Sequence, residues 1–117
     1  MDDEVLVIGS GPGGLSTAAE LGRRGVSATV LEKGDRPAAA WAGRYDALRF
    51  NTSRRNSYLP GAPFPREWGQ FPTRDQYVDY LRQYAEAHRV RIRTGVEVDR
   101  LDPAGDRWRV TTSQGEA

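Results

Sequence analysis

The chain has 117 residues and a mass of 13.0 kDa, enough for one small domain and not for two. Seventeen Lys and Arg against 16 Asp and Glu leave a net charge of +1, which gives no electrostatic footprint for nucleic acid or an anionic membrane. With no cysteine and one histidine, His88, a disulfide framework, a thiolate metal site and a His-rich cluster have no residues to build them.

Met1-Asp2-Asp3-Glu4 is the reverse of a positively charged signal peptide. No apolar run approaches the roughly 20 residues that span a bilayer, so the expected setting is cytoplasmic. Val5-Leu6-Val7-Ile8 is a continuous apolar run stopped by glycines. Four β-favouring residues are too few for a buried helix, and unbroken apolar character fits a parallel strand covered on both faces. Leu15, Ala18, Ala19 and Gly22 recur at helical spacing, a small-residue face that lets a helix lie close to a sheet. Arg23, Arg24 and Gly25 suit its C-terminus. Ser27 to Glu32 reads as a second strand, broken by Lys33-Gly34-Asp35 and Pro37. Residues 4–32 thus read as a βαβ unit.

From 36 to 72 periodicity vanishes. Five prolines alternate with Trp41, Tyr45, Phe50, Tyr58, Phe64, Trp68 and Phe71. A disordered linker is poor in aromatics, so an ordered loop packed over something is expected, and such loops often carry function. Thr73-Arg74-Asp75-Gln76 is a capping box opening a helix over 73–88, with Tyr77, Leu81, Tyr84 and Ala85 as its core stripe and His88 as a solvated cap. Val90–Arg93, Val96–Leu101 and Arg107–Thr112 read as strands, filling 90–112, the last two joined by a turn at Asp102–Asp106. Ser113 to Ala117 reads as a further turn. A few parallel strands with one helical layer leave apolar strand uncovered, so 1–117 reads as the N-terminal portion of one larger domain, truncated at its C-terminus.

Gly9-Ser10-Gly11-Pro12-Gly13-Gly14 fits G-x-G-x-x-G at positions 9, 11 and 14, between a strand and a helix. Gly9 permits the tight turn, Gly11 lets a pyrophosphate approach bare backbone, and Gly14 lets the helix press on the strand. Free N–H groups at the positive end of the helix dipole then face the phosphates. Glu32 follows Gly14 by 18 residues, at the end of the second strand. A carboxylate there can accept bonds from both hydroxyls of an adenosine ribose, and its charge disfavours a 2′-phosphate, so NADP is not expected at this site. FAD and NAD both satisfy the fingerprint. The fold class expected is α/β: an incomplete Rossmann-like FAD/NAD(P)-binding domain with an antiparallel β-meander after the second helix.

The segments downstream carry a resemblance. Trp41-Ala42-Gly43-Arg44-Tyr45-Asp46 and Leu48-Arg49-Phe50-Asn51-Thr52-Ser53, then Leu59 to Pro65, Phe71 to Tyr77, Tyr80-Leu81 and Tyr84-Ala85, resemble the flavin-dependent monooxygenase superfamily. That group holds the flavin-containing monooxygenases, the YUCCA enzymes and the Baeyer–Villiger monooxygenases. The resemblance implies an FAD whose pyrophosphate lies on Gly9, Ser10, Gly11, Pro12, Gly13 and Gly14 and whose ribose meets Glu32, with Lys33 beside it. It implies that Ala40 and Trp41 line the flavin's sugar-alcohol chain and ring, and that the Val98 backbone contacts adenine. Asn51 and Thr52 would stand beside the isoalloxazine, the Asn51 amide supporting the oxygenated flavin in the one catalytic role expected here. In such enzymes NADPH reduces FAD, O₂ adds at flavin C4a, and the peroxide transfers one oxygen atom to a small-molecule substrate. The glycine motif that would bind NADPH is not in these residues, so they are expected to be inactive alone. A non-catalytic FAD-binding fragment and the NAD-binding half of a dehydrogenase are the alternatives. A pyridine-nucleotide disulfide reductase shares the opening motif but needs a cysteine pair.

Overall fold

The computed structural model describes residues 5–43, 59, 62–65, 68 and 72–116. Strands β1 (Val5–Ile8) and β2 (Ala28–Leu31) run parallel, Val5 opposite Ala28 through Ile8 opposite Leu31, with helix α1 (Pro12–Arg23) between them in sequence. Strand β3 (Arg91–Arg93) adds in parallel to the far side of β2, giving the order β1-β2-β3. Among the described residues of this sheet β2 is the strand with a neighbour on each side, and its Thr29, Val30 and Leu31 are buried. β1 was expected to be covered on both faces; as an edge strand it is half-buried, and Ile8 stands 54% exposed.

Alternation along the strands assigns two faces to this sheet. Val7, Val30 and Ile92 belong to one, on which the helices lie. α1 contributes Leu15 and Ala19, and α3 (Arg74–Ala87) contributes Tyr77, Tyr80, Leu81, Tyr84 and Ala85 to the same core. The start of α3 is fixed by its capping box: Thr73 Oγ1 accepts the Gln76 N–H at 3.2 Å, and Gln76 Oε1 accepts the Thr73 N–H at 2.9 Å. Those two bonds satisfy donors that a helix start otherwise leaves free.

Within the stretch read as loop, Ala39–Ala42 form a single helical turn, α2. Four residues are too short for any amphipathic signal, and the alanines supply only their helix propensity. The described aromatics of the loop pack on α3. Trp41 meets Tyr77 edge-on with centroids 4.7 Å apart, and Phe64 meets Tyr80 at 4.5 Å. The Tyr80 hydroxyl accepts the Leu59 N–H at 2.8 Å and donates to the Ala62 carbonyl, tying the loop to the helix. His88 is the C-cap residue of α3. Its Nδ1 faces the Tyr84 carbonyl and its Nε2 faces Arg23, each at 3.0 Å. A carbonyl only accepts and a guanidinium only donates, so Nδ1 carries the proton.

The opposite face of the parallel sheet is not left bare. An antiparallel meander of β4 (Val98–Ala104), β5 (Arg107–Thr112) and β6 (Gly115–Glu116) covers it, and Leu31, Val96 and Val110 form a second core with Leu6 and Val98 packed against it. The meander differs from the expected one: β4 begins at Val98 instead of Val96, and both its end and the residues after Thr112 depart from the expectation. β4 runs on through Asp102 and Pro103 to Ala104, so the turn shrinks to Gly105-Asp106, with Gly105 at φ 69°. Proline is tolerated there because β4 is the outer strand of its sheet and Pro103 needs no ladder donor on its free side. The residues after Thr112 turn at Ser113-Gln114 and return as β6, Thr111 pairing with Glu116.

Candidate functional site

The end of β1, the start of α1, the end of β2 and the start of α2 converge. Gly9 leaves the strand at φ 96°, a region that residues with a Cβ avoid, while its N–H still reaches the Leu31 carbonyl at 2.8 Å. A Cβ on Gly14 would lie 2.0 Å from the Gly9 carbonyl oxygen, so α1 approaches β1 this closely only because Gly14 has none. At Gly11 and Gly13 a Cβ would meet nothing within 4 Å. Gly11 is the N-cap, offers no side-chain cap, and is followed by Pro12 at the first helical position. The first turn of α1 thus presents uncapped main-chain donors with the helix dipole behind them, bordered by open space at Gly11.

Glu32 follows β2 directly and is only 7% exposed. Its Oε1 accepts the Ser10 N–H at 3.1 Å and the Ser10 hydroxyl; its Oε2 accepts the Gly34 N–H at 2.7 Å. The Glu32 main chain is held as well, its carbonyl accepting Val96 N–H at 2.9 Å and its N–H donating to Arg93 at 2.9 Å. Burial pushes the carboxyl up, but the Ser10 hydroxyl, the Gly34 and Ser10 amides and the Lys33 charge outweigh it and hold the group below its ordinary 4.5. Glu32 is therefore an anion at neutral pH. An ionised carboxylate has about four acceptor positions. Three are filled among the described residues, which leaves one on Oε2, where the sequence reading had two ribose hydroxyls bonding.

Ala38 opens α2 from the left-handed region, at φ 58° and ψ 31°, and is buried. Its N–H donates to Ser10 Oγ at 2.8 Å. Gly34 is required by the same junction, since a Cβ there would lie 2.3 Å from that of Ala39. Sequence reasoning passed over Gly34, Ala38 and the Ser10 side chain. A glycine two residues after the carboxylate was the one available signal.

The structure gathers Gly9 to Gly14, Glu32 and α2 at one end of the parallel sheet. Lys33 and Ala40 are exposed, and Trp41 is half-buried against the α3 core. Val98 is half-buried against the Leu31–Val96–Val110 cluster. Asn51 and Thr52 lie outside the described residues. No group of three or more His, Cys, Asp or Glu among the described residues could hold a metal ion. No helix among them is long and apolar enough to cross a membrane. Main-chain donors beside open space can take an oxyanion, and the buried anion next to them can take a hydroxyl. That combination fits the diphosphate and sugar of an adenine dinucleotide.

Comparison with known proteins agrees with this chemistry. Residues 6–117 match the family described as pyridine nucleotide-disulphide oxidoreductase. Indole-3-pyruvate monooxygenase YUCCA1 of Oryza sativa subsp. japonica is 43% identical over 114 residues, covering 95% of this chain and 28% of that protein. Among solved structures, a mutant of the flavin monooxygenase from Stenotrophomonas maltophilia superposes with a TM-score of 0.90 at 33% identity, covering 98% of this chain and 35% of that one. The bacillithiol disulfide reductase from Staphylococcus aureus reaches the same TM-score at 26% identity, covering 97% and 35%. The chain spans about a third or less of the length of each of these three proteins.

Proposed function

Because the chain belongs to the pyridine nucleotide-disulphide oxidoreductase family, we propose that it forms the N-terminal, FAD-binding portion of an NADPH-dependent flavoprotein monooxygenase. The observation that carries the cofactor is the junction of an uncapped glycine turn with a buried, anionic Glu32. What favours an oxygenase over a dithiol reductase is the 43% identity to a monooxygenase, against 26% for the disulfide reductase of equal structural likeness. These 117 residues also contain no cysteine for a redox pair.

In this reading bound FAD would supply the redox chemistry, with NADPH as the two-electron donor, one atom of O₂ going to a small organic substrate and the other leaving as water. The residues here bind and orient it. The N–H groups at the start of α1 hold the pyrophosphate, Gly11 leaves room for its approach, and the free Oε2 position of Glu32 takes one ribose hydroxyl. The Glu32 charge turns away a 2′-phosphate, so NADPH is assigned elsewhere. Ala40 and Trp41 line the route toward the flavin ring, Asn51 and Thr52 stand beside it, and Val98 meets adenine through its backbone. The setting is cytoplasmic, where reduced nicotinamide is supplied.

The test is expression in the presence of FAD, followed by the flavin absorption band and its loss on dilution. Glu32→Ala weakens retention by about 1.5–3 kcal/mol, roughly 10- to 150-fold, the worth of one hydrogen bond to a charged group. Unchanged retention removes Glu32 from the site. Incorporation of isotopically labelled O₂ into product, with NADPH consumed, tests the oxygenase.

A further inference from the structure

Ser10 falls inside the glycine fingerprint, at a position that the resemblance gives to the pyrophosphate, yet its side chain turns the other way. It is fully buried. Its amide and hydroxyl both donate to Glu32 Oε1, and its hydroxyl oxygen accepts the Ala38 N–H at 2.8 Å. A serine hydroxyl has one proton to give, so the bonds run in one direction, from Ala38 through Ser10 to Glu32. Ala38 sits in a left-handed conformation that alanine avoids, and it launches the helical turn that carries Trp41. Without the hydroxyl, the Ala38 donor would be buried with no partner and Oε1 would keep a single donor.

The geometry points to Ser10 as a positioning residue that joins the two ends of the cofactor site. Its hydroxyl saturates Glu32 Oε1, leaving Oε2 to take one sugar hydroxyl rather than two, and the same atom pins the Ala38 turn that sets Trp41. This rests on the FAD reading above and adds to it a specific role for a side chain that does not touch the phosphates.

The experiment compares the full chain with its Ser10→Ala, Glu32→Gln and doubly substituted forms, measuring FAD affinity against pH. In the wild type affinity holds at neutral pH and falls on the acid side, below the ordinary 4.5, as Glu32 takes up a proton. Lys33 is the charged neighbour acting on Glu32. Ser10→Ala removes a bond to the charged form, so the acid limb moves to higher pH and neutral-pH affinity falls about tenfold. Glu32→Gln abolishes the limb, and adding Ser10→Ala to it costs less than the same change does in the wild type, because only the bond to Ala38 is then left to lose. In the ligand-free chain the Ala38 amide exchanges faster with solvent when Ser10 is alanine.

An acid limb unmoved by Ser10→Ala overturns the inference. So does an equal loss in the Glu32→Gln background, which would mean that Ser10 acts without Glu32 and joins nothing to it. A full-length wild-type protein that holds no FAD overturns the cofactor reading and this inference with it, a result distinguished by appearing before any substitution is made.

Discussion

Gly14→Ala is the sharpest perturbation of the glycine turn. The new Cβ would lie 2.0 Å from the Gly9 carbonyl oxygen, 3.1 Å from the Gly9 carbonyl carbon and 3.4 Å from Val7 Cγ1. Real Cβ contacts do not fall below 3.0 Å, so the first turn of α1 must retreat by at least the difference, about 1 Å. Neither side yields easily. Gly9 is anchored by its N–H to the Leu31 carbonyl at 2.8 Å, and α1 is held on its inner face by the fully buried Leu15. Overpacking of this kind costs about 1–3 kcal/mol, against a gain of roughly 0.5–1 kcal/mol for alanine over glycine in a helix. At mid-range the clash wins, and a net loss of about 1 kcal/mol, at most about 2.5, is expected. Gly22→Ala is the control: it lies in the same helix, its Cβ meets nothing within 4 Å, and it should stabilise by about 0.5–1 kcal/mol. Guanidinium unfolding midpoints of the two variants and the wild type decide the matter. A Gly14→Ala protein as stable as Gly22→Ala would show that α1 is not pinned on β1 at this point.

Two further outcomes are expected. Thr73→Ala removes the reciprocal cap of α3 and should cost about 1 kcal/mol, with faster amide exchange confined to the first turn of that helix. The Tyr77 hydroxyl is pushed up to about 12 by burial and by Tyr80, from an ordinary 10.0. Its neutral form is thus favoured by folding, so its contribution is full below pH 10 and is lost as pH rises toward 12. Denaturant titrations across that range should show the decline in the wild type and a shallower one in Tyr77→Phe.

The features legible in the sequence are those that neighbours along the chain decide. The positive φ at Gly9, the capping box at Thr73 and Gln76, and the small-residue face of α1 each depend on atoms within a few residues. The family likeness came from strings of contiguous residues. The glycine fingerprint and Glu32 were visible together because a βαβ unit holds their separation nearly constant. Other features needed the folded chain. Pro103 is admitted into β4 only because that strand has a free side, and the return of Gly115–Glu116 needs β5 as its template. The face carrying Leu6 and Leu31 is covered by Val96 and Val110, which no periodicity near residue 6 announces. Most of all, the Ser10 hydroxyl meets partners 22 and 28 residues away. A spacing pattern records which way a backbone turns, whereas which buried donor finds which acceptor is settled by packing, after every other claimant has been placed.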